Sequence, residues 1–127
     1  MVFATNKFMK AILIISFSTL LLTACSKNGI PPSTASCIKK EILSNKDNPD
    51  WYTGTVEEYT FQNKTVYAFL PDGNIIADGS TTIKDEYCNT LCNIGGFGGP
   101  AINKCNGENF YEKAVLVRTI WKKKSRE

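Results

Sequence analysis

Val56–Leu70, VEEYTFQNKTVYAFL, decides the fold of this 127-residue chain. Side chains of a strand alternate between two faces. Val56, Glu58 and Thr60 therefore share one side of the first run, and Glu57, Tyr59 and Phe61 share the other. Gln62-Asn63-Lys64 is polar and turn-forming, and Thr65–Leu70 resumes the alternation with Thr65, Tyr67 and Phe69 together. Two aromatic-rich runs across a short polar turn predict a β-hairpin.

Toward the C-terminus, Pro71-Asp72-Gly73 and Asp78-Gly79 are turn signals that leave Asn74–Ala77 and Thr81–Lys84 as short strand candidates. Tyr111–Lys122, YEKAVLVRTIWK, has the apolar density of a central strand. Simple alternation puts Val115, Val117 and Trp121 on one side and Leu116 and Ile120 on the other. Toward the N-terminus, Cys37–Asn45 reads as a short helix whose Ile38/Ile42 edge faces a core, with Thr34 or Ser36 as the N-cap. Pro49 limits it. The expectation is one α+β domain over residues 37–122, two layers deep, with one short helix packed on a small antiparallel sheet and stapled by disulfides. Residues 123–127 are left as a basic, solvated tail.

Ahead of the domain, Lys7 and Lys10 precede the uncharged run Ala11–Leu22, which is signal-peptide length and too short for a comfortable membrane span. Leu22-Thr23-Ala24-Cys25 follows and resembles the bacterial lipobox. The resemblance implies removal of residues 1–24 and acylation, palmitate included, of the Cys25 thiol and amine. Two or three acyl chains, at about 0.8 kcal/mol per buried CH₂, anchor a protein stably. Residues 25–36 are polar with Gly29, Pro31 and Pro32, and predict a flexible tether. Ser26 resembles the signal that directs such lipoproteins to the outer membrane, so the expected location is the cell envelope, with the membrane itself as partner through the lipid on Cys25.

The chain has five cysteines. With Cys25 assigned to lipid, Cys37, Cys88, Cys92 and Cys105 form an even set, which in an exported domain reads as two disulfides with three connectivities open. Cys88-x-x-x-Cys92 also has a zinc-ligand spacing, but the chain lacks histidine and an oxidising compartment favours disulfides, so no metal or other cofactor is expected. The formal charge is +3, and two of the lysines leave with residues 1–24. The near-neutral remainder offers no basic face for nucleic acid.

The unusual stretch is Cys92-Asn-Ile-Gly95-Gly96-Phe97-Gly98-Gly99-Pro100 with Cys105 beyond it. It lacks the Gly-Lys-Ser/Thr of a phosphate loop. Gly95, Gly96, Phe97 and Gly98 are candidate binding residues of a stapled loop, if Phe97 is presented to a partner. The blander expectation is that Phe97 packs beneath the loop. Asp72-Gly73-Asn74 and Asp78-Gly79 read as turn aspartates rather than calcium ligands, since Ile76 stands where a third oxygen is needed. Without histidine, Ser/His/Asp and Cys/His schemes are closed. The adjacent pairs Glu57-Glu58 and Asp85-Glu86 are the only carboxylate candidates for a hydrolase, and Glu57 and Glu58 point to opposite faces. The expectation is a non-enzymatic, lipid-anchored envelope module that binds a protein or glycan or serves a structural role. The alternatives are an inhibitor of a protease or hydrolase acting through the Cys92–Cys105 loop, and a carboxylate hydrolase.

Taken together, the helix opening at Cys37, VEEYTFQNKTVYAFLP, DEYCNTLCNIGGFGG with Cys105 after it, and Ile120-Trp121-Lys122 resemble bacterial lipoproteins of the DUF6970 kind. The resemblance spans residues 37–122 and is most specific at Leu91-Cys92 followed by Gly95-Gly96-Phe97. Members of that kind carry a Cys-Cys pair just after the hairpin, where Pro71-Asp72-Gly73-Asn74 stands here. The resemblance implies no activity.

Overall fold

The hairpin is present and extends beyond its predicted ends, as β1 (Thr53–Phe61) and β2 (Lys64–Pro71). The computed structural model describes residues 28–98 and 100–125; the expected signal segment and Cys25 lie outside them. Gln62 and Asn63 have φ of 50° and 60°, the left-handed pair that a two-residue turn of this twist requires. The register pairs Val56 with Phe69 and Glu58 with Tyr67. At the other end Gly54 sits in a bulge between Thr53 and Thr55. A Cβ on Gly54 would lie 2.9 Å from the Asp72 Cα, so a larger residue would force the strands apart there.

Two further strands, β3 (Ser80–Lys84) and β4 (Thr90–Gly95), continue the meander. The chain then forms a two-stranded ladder of β5 (Lys104–Cys105) and β6 (Glu108–Asn109). A short helix α2 (Phe110–Lys113) leads into β7 (Val115–Lys122), which returns to pair with β1. The main sheet is antiparallel with order β4-β3-β2-β1-β7. Asn74–Ala77 is a turn rather than a strand; the Asp72 carbonyl accepts from the N–H groups of both Ile75 and Ile76.

The middle strand β2 buries Val66, Tyr67, Ala68 and Phe69 in succession, because both faces of the sheet are covered. Tyr67 and Phe69 join Val56, Trp51 and Ile120 under helix α1 (Ser36–Asn45), which contributes Ile38 and Ile42. Val66 and Ala68 join Phe61, Ile83, Ile94, Cys105 and Phe110 on the opposite face. The expected two-layer stack is therefore a sheet with a core on each side. The helix-on-sheet arrangement and its two disulfides are present, but the molecule is mostly sheet and α+β describes it loosely.

Three local expectations give way. Neither Thr34 nor Ser36 caps α1: the Thr34 hydroxyl is buried without a partner, and the Ala35 N–H donates to the Tyr67 hydroxyl at 3.1 Å. A sheet residue thus performs a task usually done from within the helix's own sequence. β7 lies at an edge, and two register shifts against β1 leave Val117 and Ile120 as extra residues. These bulges break the alternation, so Ile120 and Trp121 pack on the same helix-side core. Finally, the segment expected to be loose tether is laid onto the domain from Asn28 on. Ile30 is only 2% exposed within the helix-side core. Arg118 bridges the Ser33 hydroxyl (2.6 Å) and the Glu58 carboxylate (2.9 Å). Ile30, with the bonds of Ser33 and Ala35, docks a polar segment that composition alone reads as unstructured.

Candidate functional site

The loop candidates are assembled by β4 and the chain that leaves it. Gly95 and Gly96 have φ of 81° and 78°, left-handed values that glycine adopts without the cost a Cβ would add. They turn the chain off the sheet into two short 3₁₀ turns, Gly96–Gly98 and Pro100–Ile102. The Asn103 side-chain oxygen accepts from the Gly95 N–H at 3.1 Å, and the Asn103 carbonyl accepts from the Phe110 N–H at 2.8 Å. One asparagine thus ties the start of the loop to its return. The Cys92–Cys105 disulfide closes it covalently.

Phe97 crowns this loop at 89% exposure, so it does not pack beneath it. Gly98 is held closely, because a Cβ there would meet Ile102 side-chain atoms at 2.5 Å. What packs beneath is Phe110, buried against Phe61 and Tyr59 with ring centroids 5.1 and 5.2 Å away. The Tyr59 hydroxyl donates to Glu57 at 2.8 Å, and burial together with the Glu57 carboxylate pushes its pKa up to about 12. The sequence missed Phe110 as the loop's support, since FYEK carries no periodic signal of its own.

The carboxylate candidates do not converge. Glu57 is held by Tyr59 on the loop side, and Glu58 is paired with Arg118 on the helix side. Asp85 accepts from the N–H groups of Tyr87 and Asn89 and from the Asn89 amide; despite burial that works the other way, these bonds hold its carboxyl below the usual value. It shapes the β3–β4 turn, with Glu86 exposed beside it. Asp72 accepts from the Asn74 N–H (3.0 Å) and pairs with Lys123 (3.2 Å), which also holds it low. Among the described residues no group of three or more His, Cys, Asp or Glu side chains could hold a metal ion. Cys88 and Cys92, the zinc-spaced pair, belong to different disulfides: Cys37–Cys88 joins α1 to the β3–β4 turn, and Cys92–Cys105 joins β4 to β5. Among the described residues no helix is long and apolar enough to cross a membrane.

Neither a curated protein nor a solved structure matches the chain. A family model described as a domain of unknown function, DUF6970, matches residues 42–123, which run from the last turn of α1 past the end of β7 and take in every strand and three of the four bridged cysteines. On that span the chain belongs to the DUF6970 family.

Proposed function

We propose that this protein is a lipid-anchored module of the bacterial cell envelope, held by acyl chains on Cys25, directed to the outer membrane, and acting by binding or as structure rather than by catalysis. One observation carries the reading. The two disulfides account for Cys37, Cys88, Cys92 and Cys105, every cysteine after Cys25, and Cys25 is the one that stands in the lipobox. Structural disulfides also belong to oxidising compartments outside the cytosol. Metabolic labelling with radioactive palmitate tests it. The wild-type chain takes up label and Cys25→Ala does not; equal labelling of the two, or none on the wild type, refutes the anchor.

A second reading is favoured by the exposure of Phe97 on a disulfide-closed loop. An inhibitor of a protease or hydrolase presents a rigid, pre-organised loop of this kind, which loses little freedom on binding. Phe97→Ala would then abolish inhibition of a target enzyme, and a chain that inhibits nothing in a broad protease panel excludes it.

A further inference from the structure

The starts of β1, β3 and the ends of β2, β4 and β7 meet at one end of the sheet, as the pairs Thr53–Pro71, Ser80–Gly95 and Thr55–Lys122 require. Asn28, Ile75, Lys122 and Lys124 line one open hollow at this end. Phe97 belongs here too, because Gly96 abuts the β2–β3 loop, with a Cβ placed on it 3.5 Å from the Asp78 carbonyl oxygen. Tyr52, Ile75, Ile76 and Phe97 are exposed at 44, 45, 40 and 89%. The chain thus reaches the domain at the end that also carries these four apolar side chains.

From this the structure assigns a membrane-contact surface: Tyr52, Ile75, Ile76 and Phe97 rest in the headgroup region of a phospholipid bilayer, with Lys122 and Lys124 beside them. The assignment rests on the Cys25 anchor. Its further warrant is the length of chain between anchor and domain. Two residues, Ser26 and Lys27, separate Cys25 from Asn28, so the three links span about 11 Å at full extension. A headgroup layer is about 6 Å deep. Because Ile30 is buried in the core, no longer tether can pay out without unpacking it. The end bearing Asn28 is therefore held against the lipid surface. Apolar and aromatic side chains flanked by lysines are suited to that boundary, where rings sit at headgroup level and long cationic stems reach phosphate.

The test uses the full acylated chain in vesicles of phosphatidylethanolamine and phosphatidylglycerol, with and without dibrominated acyl chains. Phe97→Trp places a fluorophore at the proposed contact. Tyr87→Trp places one on the β3–β4 turn at the opposite end of the sheet, where the native side chain is 73% exposed. Emission is read as the difference from the wild-type chain, which carries Trp51 and Trp121. The added emission of Phe97→Trp should fall by about half in brominated vesicles, as for a side chain inserted at the acyl boundary, while that of Tyr87→Trp is unchanged. Equal response at both positions, with the protein still sedimenting with the vesicles, overturns the contact surface and leaves the anchor standing. A wild-type chain that does not stay with the vesicles overturns both.

Discussion

The two faces of the sheet are covered by opposite means. On one, α1 lays Ile38 and Ile42 over Val56 and Phe69, and ion pairs stand around this side, among them Glu41–Lys84 at 2.6 Å, Glu58–Arg118 at 2.9 Å and Asp72–Lys123 at 3.2 Å. On the other, Cys105 of the β5–β6 ladder and the single ring of Phe110 do the covering, with the short 3₁₀ turns exposed beside them. Polar ties on this side include neutral pairs, such as Gly95–Asn103 and Gln62–Asn106, and the Tyr59 hydroxyl on the Glu57 carboxylate. A helix brings its apolar residues to a face by periodicity, whereas irregular chain needs each contact specified separately. The disulfides follow the same division. The helix is fixed by a bridge spanning 51 residues of sequence, and the loop by one spanning 13.

That difference sets the largest expected effect. Chain-entropy reasoning gives about 4 kcal/mol for removing the longer bridge and about 3 kcal/mol for the shorter. The paired variants Cys37→Ala/Cys88→Ala and Cys92→Ala/Cys105→Ala should rank in that order when urea midpoints are compared at constant m-value. Each should still unfold in one transition, because β2 gives Tyr67 and Phe69 to one core and Val66 and Ala68 to the other. A reversed ranking would mean that the shorter bridge organises native loop structure beyond limiting the unfolded chain.

Single side chains sharpen the contrast. Ile42 is fully buried between helix and sheet, so Ile42→Ala should cost about 2–4 kcal/mol. Phe97, on the loop-covered face, should change stability by less than about 0.5 kcal/mol when replaced by alanine. A cost for Phe97→Ala approaching that of Ile42→Ala would show the ring packed in solution and would remove it from any binding role.

The helix-covered face was largely legible in the sequence. Ile38/Ile42 spacing and the Val56–Leu70 alternation are local signals, and the faces they assign to Tyr59, Phe61, Tyr67 and Phe69 are those in the structure. Its errors come from contacts that no local pattern encodes: the Tyr67 hydroxyl at the start of α1, Ile30 docking the segment before it, and bulges that turn Ile120 toward the helix. The loop that covers the other face was legible only as cysteines and glycines. Which cysteine pairs with which depends on the turn at Asp85 and on the return of the chain through Asn103, and neither has a periodicity to read. The gathering of Ile75, Ile76 and Phe97 at one end follows from strand order, which the sequence does not state.

The effects of pH should separate the faces by sign. Asp72 lies next to the helix-side core, where Lys123 joins it to the Trp51 carbonyl, and Asp85 shapes the turn that reaches Cys88. Both carboxyls are held below their usual value of 3.8. As pH falls, the unfolded chain takes up these protons first. The contribution is therefore complete above that value and is lost as pH drops through it and then through the folded-state pKa. Tyr59 on the loop side behaves in reverse. Its pKa is raised from 10.0 to about 12 by burial and by Glu57, so the folded state keeps a proton that the unfolded chain releases. Its contribution is present below pH 10.0 and declines as pH rises toward 12. Urea midpoints followed by the fluorescence of Trp51 and Trp121 should show Asp72→Asn flattening the acid limb alone and Tyr59→Phe the alkaline limb alone. If either substitution flattened both limbs, the acid and alkaline contributions would not belong to separate faces, as the bonds of Asp72 to Asn74 and Lys123 and of Tyr59 to Glu57 place them.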